Sequence, residues 1–217
     1  MAVAEGYLQR NPAELLFVPR EAKRYPKPRL TLDQVNLLFS VLELRERVIA
    51  GFAILAGMRP GEIFALRRSH VGEGYVDIQQ GIYRGVIDTP KTFHSTRRAG
   101  LGEGLSCWLR QWLEMLPLRE PDALLFPSER GTTPVRNDNT WKRYFLPRLT
   151  KVGLQWATFQ VMRRSHSTLM YELGVDPQIR ADQMGHTVDE NQNQYTRSSL
   201  ERRRSAVNAL EKALNLG

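Results

Sequence analysis

A chain of 217 residues, 41% of them hydrophobic, is long enough for one sizeable core, or one core with extensions. No apolar run approaches the roughly 18–20 residues of a membrane-spanning helix, the start MAVAEGYLQRNPAEL lacks the basic-then-apolar order of a secretory signal, and the lone Cys107 excludes an internal disulfide framework or a multi-cysteine zinc site. Lys and Arg number 31 against 23 Asp and Glu, a net charge of +8 that favours a polyanionic partner, because each neutralised phosphate releases condensed counterions.

Residues 1–30 read as a basic, Pro-containing linker or arm: NPAELLFVPREAKRYPKPRL carries four prolines and a run of bases. It has the look of a connection to an upstream module. Helical patterning starts at Thr31, where Thr31-Leu32-Asp33-Gln34 fits a capping box and Leu32, Val35, Leu38, Phe39 and Leu42 recur at helical spacing. A second helix over about Arg45–Ala56 stops at Gly57, a good left-handed cap, and Pro60 opens a third, PGEIFALRRS. The period then changes. Tyr75–Ile78 and Ile82–Ile87 are strand-like, and a short strand near Arg97–Leu101 completes a small antiparallel sheet. Helices resume at about Ser106–Leu116, Asn139–Val152, Arg163–Leu173 and Asp176–Met184, and the tail Leu200–Leu214 places Val207, Leu210 and Leu214 on one face. The expected class is mainly α with a small antiparallel β-sheet, an α+β arrangement.

Taken singly, the polar residues of interest have ordinary readings. Arg59, at a helix junction, can aim its planar fork at a phosphate, or can simply pair with Glu62. Lys91, in DTPKTFHSTRR, reads as a solvated hairpin lysine, His186 as a helix-end histidine after Gly185, and Tyr195, in DENQNQYTR, as a surface or packing residue.

Their order and spacing together resemble the tyrosine recombinase (phage integrase) family. The resemblance is carried by AGMRPGEIFAL, by the lysine of TPKTFHSTRR, by VMRRSHSTLMYELGVDP, by MGH, and by the tyrosine nine residues after that histidine. It covers about Thr31 to the C-terminus and implies the family's catalytic-domain fold over residues 31–198. Residues 199–217 would be a C-terminal helix of the same domain, packed on its own core or docked on a neighbouring subunit. The arm resembles the linker from the family's separate DNA-clamping domain.

The resemblance also implies roles. Arg59 and Arg163 fall on the two phosphate-binding arginine positions, Lys91 on the hairpin lysine, His186 on the histidine of the glycine–histidine pair and Tyr195 on the nucleophile; Glu62 matches a supporting glutamate. Such a set is chemically coherent. Phosphodiester exchange without a metal needs cations around the phosphoryl oxygens, and a tyrosine ester conserves the bond, so that rejoining needs no ATP. No cofactor or metal is expected; the expected partners are double-stranded DNA and further copies of the chain, as a tetramer on DNA, and the expected location is the cytoplasm.

Two positions depart from the family pattern: Arg164, where the family commonly has histidine, and Gln160. Three residues before Arg163, where the family has histidine, stands Gln160, whose amide hydrogen-bonds but takes up no proton near neutrality. His166, one helical turn beyond Arg163, is the nearby imidazole that would have to replace it. Two other readings therefore stay open: a recombinase-like DNA-binding protein with little or no strand exchange, and a nicking–closing enzyme of the type IB topoisomerase kind.

Overall fold

The computed structural model describes residues 6, 9–12, 27–83, 85–88, 96–128 and 133–186. Helix α1 (Leu32–Ser40) starts at the expected capping box: the Thr31 hydroxyl accepts from the Gln34 N–H at 3.3 Å, and the Gln34 side-chain oxygen accepts from the Thr31 N–H at 3.0 Å. Just before it, Leu30 is 1% exposed and its N–H donates to the Ser165 hydroxyl at 2.8 Å, so the end of the arm is part of the core.

Helix α2 (Leu44–Ile54) runs through the middle of that core. Val48, Ile49, Ala50, Phe52 and Ala53 are wholly buried, because this helix is apolar around most of its circumference. It ends at Ile54, and the chain turns through Gly57, whose φ of +64° is the left-handed value that favours glycine. A side chain there would also collide with a neighbour, since a Cβ would lie 2.7 Å from His166 Cδ2.

Helix α3 (Pro60–Ala65) is shorter than the sequence suggests. Leu66 is already extended and its carbonyl accepts from the Leu125 N–H at 2.9 Å, while Arg67 bridges to Leu124. These pairings to a distant segment outcompete the next helical turn, and only a 3₁₀ turn, Arg68–His70, follows. Then come strands β1 (Val71–Gly72), β2 (Tyr75–Ile78), β3 (Gly81–Tyr83), β4 (Val86–Asp88) and β5 (Arg97–Gly100). β1, β2 and β5 form an antiparallel sheet in that order, with Val76 opposite Ala99 and Ile78 opposite Arg97. The stretch Ile82–Ile87 is not one strand. Gly85, with φ +84°, turns it into a separate β3–β4 hairpin. That hairpin lies against α3, where a Cβ on Gly61 would come within 2.7 Å of the Ile82 carbonyl oxygen.

Helix α4 (Glu103–Met115) packs on α2 at Gly51, where a Cβ would meet Leu105 Cδ1 at 2.6 Å. The run from Asn137 to Thr150 differs from the plain helix expected at Asn139–Val152. It comprises α5 (Asn137–Thr140), a five-residue π turn (Trp141–Phe145) and α6 (Leu146–Thr150). Pro147 has no N–H to close an α-helical bond in this region. The wider turn stacks Trp141 on Phe145 with centroids 5.8 Å apart, and both meet Phe159 edge-on at 5.5 and 4.9 Å.

Helix α7 (Phe159–Glu172) starts a full turn before the expected Arg163, because Thr158 caps it and Phe159, Val161 and Met162 belong to the core. Arg163 is thus inside the helix. Helix α8 (Pro177–Met184) has Asp176 as its cap, accepting from the Gln178 N–H at 2.7 Å, and ends at Gly185 with φ +63°. The helix read from the tail at Leu200–Leu214 lies outside the described residues. The architecture is mainly α with small antiparallel sheets, as expected, and no helix among the described residues is long and apolar enough to cross a membrane.

Candidate active site

Segments far apart in the sequence converge on one carboxylate, Glu62, in the first turn of α3. Its Oε2 accepts from the Arg59 backbone N–H at 2.8 Å, and its Oε1 accepts from Arg59 Nη1 at 2.8 Å. From β5, Arg97 donates Nη1 to Oε1 at 3.2 Å and Nη2 to Oε2 at 3.0 Å. From α7, Arg163 Nη1 stands 4.0 Å from Oε2.

The C-terminal end of α8 supplies the remaining acceptors. Arg97 Nε donates to the Gln183 carbonyl at 3.0 Å, Arg163 Nη2 to the Met184 carbonyl at 2.8 Å and Arg59 Nη2 to the Gly185 carbonyl at 3.2 Å. Three consecutive carbonyls thus each take one arginine, at the helix end where carbonyl groups lack helical partners and carry partial negative charge. Arg163 also donates Nη1 to the Gly57 carbonyl, and its Nη2 lies 2.7 Å from His186 Nε2. A guanidinium can only donate, so in this contact Nε2 is the acceptor.

Three guanidinium groups around one carboxylate leave the cluster positive. Burial works to raise the Glu62 pKa, but Arg97's hydrogen bonds and charge, then the Arg59 N–H and the Arg163 charge, outweigh it and hold Glu62 below the ordinary value. Burial, and next the Arg59 charge, pull Arg163 down to about 9, which leaves it cationic at neutral pH. Arg59 is the open member, its side chain 40% exposed against 10% for Arg163. A part-exposed guanidinium, backed by a buried second cation and a hydrogen-bonding imidazole, can hold a tetrahedral anion with its remaining N–H donors.

Of the residues singled out in the sequence, Arg59, Glu62, Arg163 and His186 come together here. Gln160 is exposed, one turn before Arg163 on α7. His166 is elsewhere: it is 2% exposed, its Nδ1 lies 2.9 Å from the Ile54 carbonyl oxygen, and its ring backs Gly57. Burial pulls its pKa down to about 4, so the ring is neutral, and its Nε2 has no hydrogen-bond partner among the described residues. Lys91 and Tyr195 lie outside the described residues. Sequence reasoning missed Arg97 and Gln183. Strand alternation held a clue, since Arg97 shares its face of β5 with the fully buried Ala99, whereas Arg98 points out to Asp77. Among the described residues no group of three or more His, Cys, Asp and Glu is placed to hold a metal ion.

Residues 28–202 match the sequence model of the Phage integrase family. The chain belongs to that family. Among its integrase-family relatives, the tyrosine recombinase XerC of Yersinia pestis is 26% identical over 199 residues, covering 85% of this chain and 59% of the relative. XerD of Proteus mirabilis is 26% identical over 208 residues (91% and 63%), and the integrase of Enterobacteria phage 434 is 25% identical over 201 residues (89% and 53%). The chain therefore spans 53–63% of the length of these curated relatives. The fold is shared with the Tn1549 transposon integrase solved with a circular intermediate DNA (TM-score 0.76, 17% identity, 96% of this chain and 74% of that one). It is shared with XerA recombinase as well (TM-score 0.66, 20% identity, 90% and 66%). The arginine cluster thus sits on a fold shared with these proteins.

Proposed function

We propose that the chain is the catalytic part of a site-specific DNA recombinase or integrase that cuts and rejoins double-stranded DNA through Tyr195, without ATP or a metal ion. The observation that carries this reading is the Glu62-centred arginine cluster with His186 seated on Arg163, in a member of the phage integrase family. In this reading Arg59 and Arg163 bind the non-bridging oxygens of the scissile phosphate and stabilise charge as it redistributes, and His186 adds a hydrogen bond. The Tyr195 phenol releases its proton to solvent as its oxygen attacks phosphorus, the bond from phosphorus to the 5′ oxygen breaks, and the Lys91 ammonium delivers a proton to that oxygen. The products are a 3′-phosphotyrosine and a free 5′-hydroxyl. Attack by a 5′-hydroxyl on the tyrosine ester reverses the step and reseals the strand. Glu62 orients the arginines. We assign His166 to holding the Gly57 turn.

Duplex DNA as substrate is supported by the relatives' recombinase and integrase names, and we propose that several copies of the chain act on it as a tetramer. The DNA substrate is supported further by fold neighbours solved on DNA, including a lambda integrase dimer on a core site. A cytoplasmic location fits that substrate.

The test is covalent trapping. The full chain is incubated with a pool of nicked duplexes tiling the DNA that flanks its gene, and adducts are scored on denaturing gels. Wild type should give an adduct and Tyr195→Phe none, while both retain DNA binding. Gln160, at the position where the family carries histidine, favours a second reading, a recombinase-like DNA-binding protein without strand exchange. Binding with no wild-type adduct on any duplex would select that reading. Relaxation of supercoiled plasmids lacking any of the tiled sequences would instead indicate a nicking–closing enzyme.

A further inference from the structure

We propose that Arg97 is a positioning residue of the phosphate site: reaching in from β5, it fixes Glu62 and the last turn of α8, and so the orientations of Arg59 and Arg163. The inference rests on the recombinase reading above.

Glu62 offers two oxygens and has three arginines around it. Arg97 takes both oxygens with its two-pronged fork, at 3.2 and 3.0 Å, and gives its Nε–H to the Gln183 carbonyl at 3.0 Å. Its side chain is only 7% exposed. Arg97 is engaged through all three of its nitrogens, whereas Arg59, which gives Nη1 to Glu62 and Nη2 to the Gly185 carbonyl, keeps its side chain 40% exposed. Arg163 stands off from the carboxylate at 4.0 Å and is held instead by the Gly57 and Met184 carbonyls and by His186. The three cations therefore divide the work. Arg97 and Arg59 share the carboxylate, and Arg163 is left to the backbone carbonyls and His186.

Removing Arg97 would leave Glu62 with an unfilled acceptor edge in a buried site. Arg163 is the cation near enough to move into it, and such a move breaks its contacts to His186 and the Met184 carbonyl. Losing the Nε bond to Gln183 also loosens the turn that carries the Met184 and Gly185 carbonyls. Among the described residues, the charged and titratable groups facing Glu62 are Arg59 from the cap of α3, Arg97 from β5 and Arg163 from α7, with His186 bound to Arg163. Arg97 is the largest influence keeping this carboxylate ionised, so its loss has a signature in pH as well as in rate.

The experiment compares wild type, Arg97→Met and Arg97→Lys as full chains, each checked by urea unfolding. Glu62 is titrated by carboxyl NMR without DNA, and adduct formation is followed against pH on a nicked duplex trapped by wild type. In Arg97→Met the Glu62 pKa should rise, and the acid limb of the rate profile should move up with it. At saturating duplex the rate should fall by about ten- to a hundredfold, as small misplacements at reacting centres cost, with half-saturation within about threefold of wild type. Arg97→Lys should return the acid limb towards wild type and leave most of the rate deficit, because an ammonium cannot span both carboxylate oxygens and the Gln183 carbonyl.

An unmoved Glu62 titration and acid limb, with activity lost only in proportion to folded protein, would overturn the proposal. So would a wild-type rate in either variant. If Arg97→Met does not fold, the rate of Arg97→Lys decides. If wild type gives no adduct, the recombinase reading fails, while the Glu62 titration still reports whether Arg97 controls this carboxylate.

Discussion

At His166 a buried imidazole stays neutral because nothing around it would solvate a second proton. Its Nδ1 is engaged with the Ile54 carbonyl, and its ring fills the space that a Cβ on Gly57 would need. In the folded chain this ring protonates near pH 4, against 6.5 ordinarily. Between those values the unfolded chain binds the additional proton. The histidine's contribution to stability is therefore complete above about pH 6.5 and is lost as pH falls towards about 4, a change on the order of 3 kcal/mol. Urea unfolding at about pH 7, 5.5 and 4.5 should show wild type losing more stability than His166→Gln, which carries no titrating ring. Parallel losses in the two proteins would show that His166 does not carry this dependence.

At the level of elements, Gln183 behaves like a strand neighbour. Its Oε1 accepts from the Gly100 N–H at 3.0 Å, and its Nε2 donates to the Gly100 carbonyl at 3.0 Å and to the Ala56 carbonyl at 3.2 Å. One amide thus ties α8 to the edge of β5 and to the end of α2. Gln183→Glu keeps the shape but sets an oxygen without a proton against two carbonyls, and should destabilise the fold by about 1–3 kcal/mol in urea unfolding at neutral pH. Unchanged stability would show that the tie is weak. Much of this layout was legible in the sequence, because helix ends are written locally: the Thr31–Gln34 box, Pro60, the Asp176-Pro177 start and Gly185 all fall where they should. The π turn at Trp141–Phe145, the early start of α7 and the short end of α3 were not. Each depends on a partner distant in the sequence: Phe159 for the π turn, the core for Phe159–Met162, and Leu124-Leu125 for Leu66-Arg67.

For the molecule as a whole, the net charge of +8 takes on a local meaning at the Glu62 cluster. Under the proposed function most other bases serve the DNA backbone or the solvated surface, so duplex affinity should fall steeply with salt. A fall on the order of 10³-fold between about 50 and 200 mM salt, read by fluorescence anisotropy, is expected for several neutralised phosphates. A flat salt response would argue against an extended backbone interface. The site was half legible from sequence. Arg59, Glu62, Arg163 and His186 were recognisable by motif, whereas Arg97 and Gln183 were not: Arg97 meets Glu62 from a strand 35 residues away, and Gln183 pairs with backbone groups, which leave no trace in residue identity.

The convergence of three arginines on a single carboxylate also shapes how this fold can drift. Two of these cations are almost completely withdrawn from water, an arrangement that a fold selected only for robustness would tend to dismantle. Replacing Arg163 by a well-packed apolar residue would relieve like-charge crowding while erasing the anion site. Under the proposed function, a library of variants sorted by heat resistance alone would therefore enrich chains that no longer trap DNA.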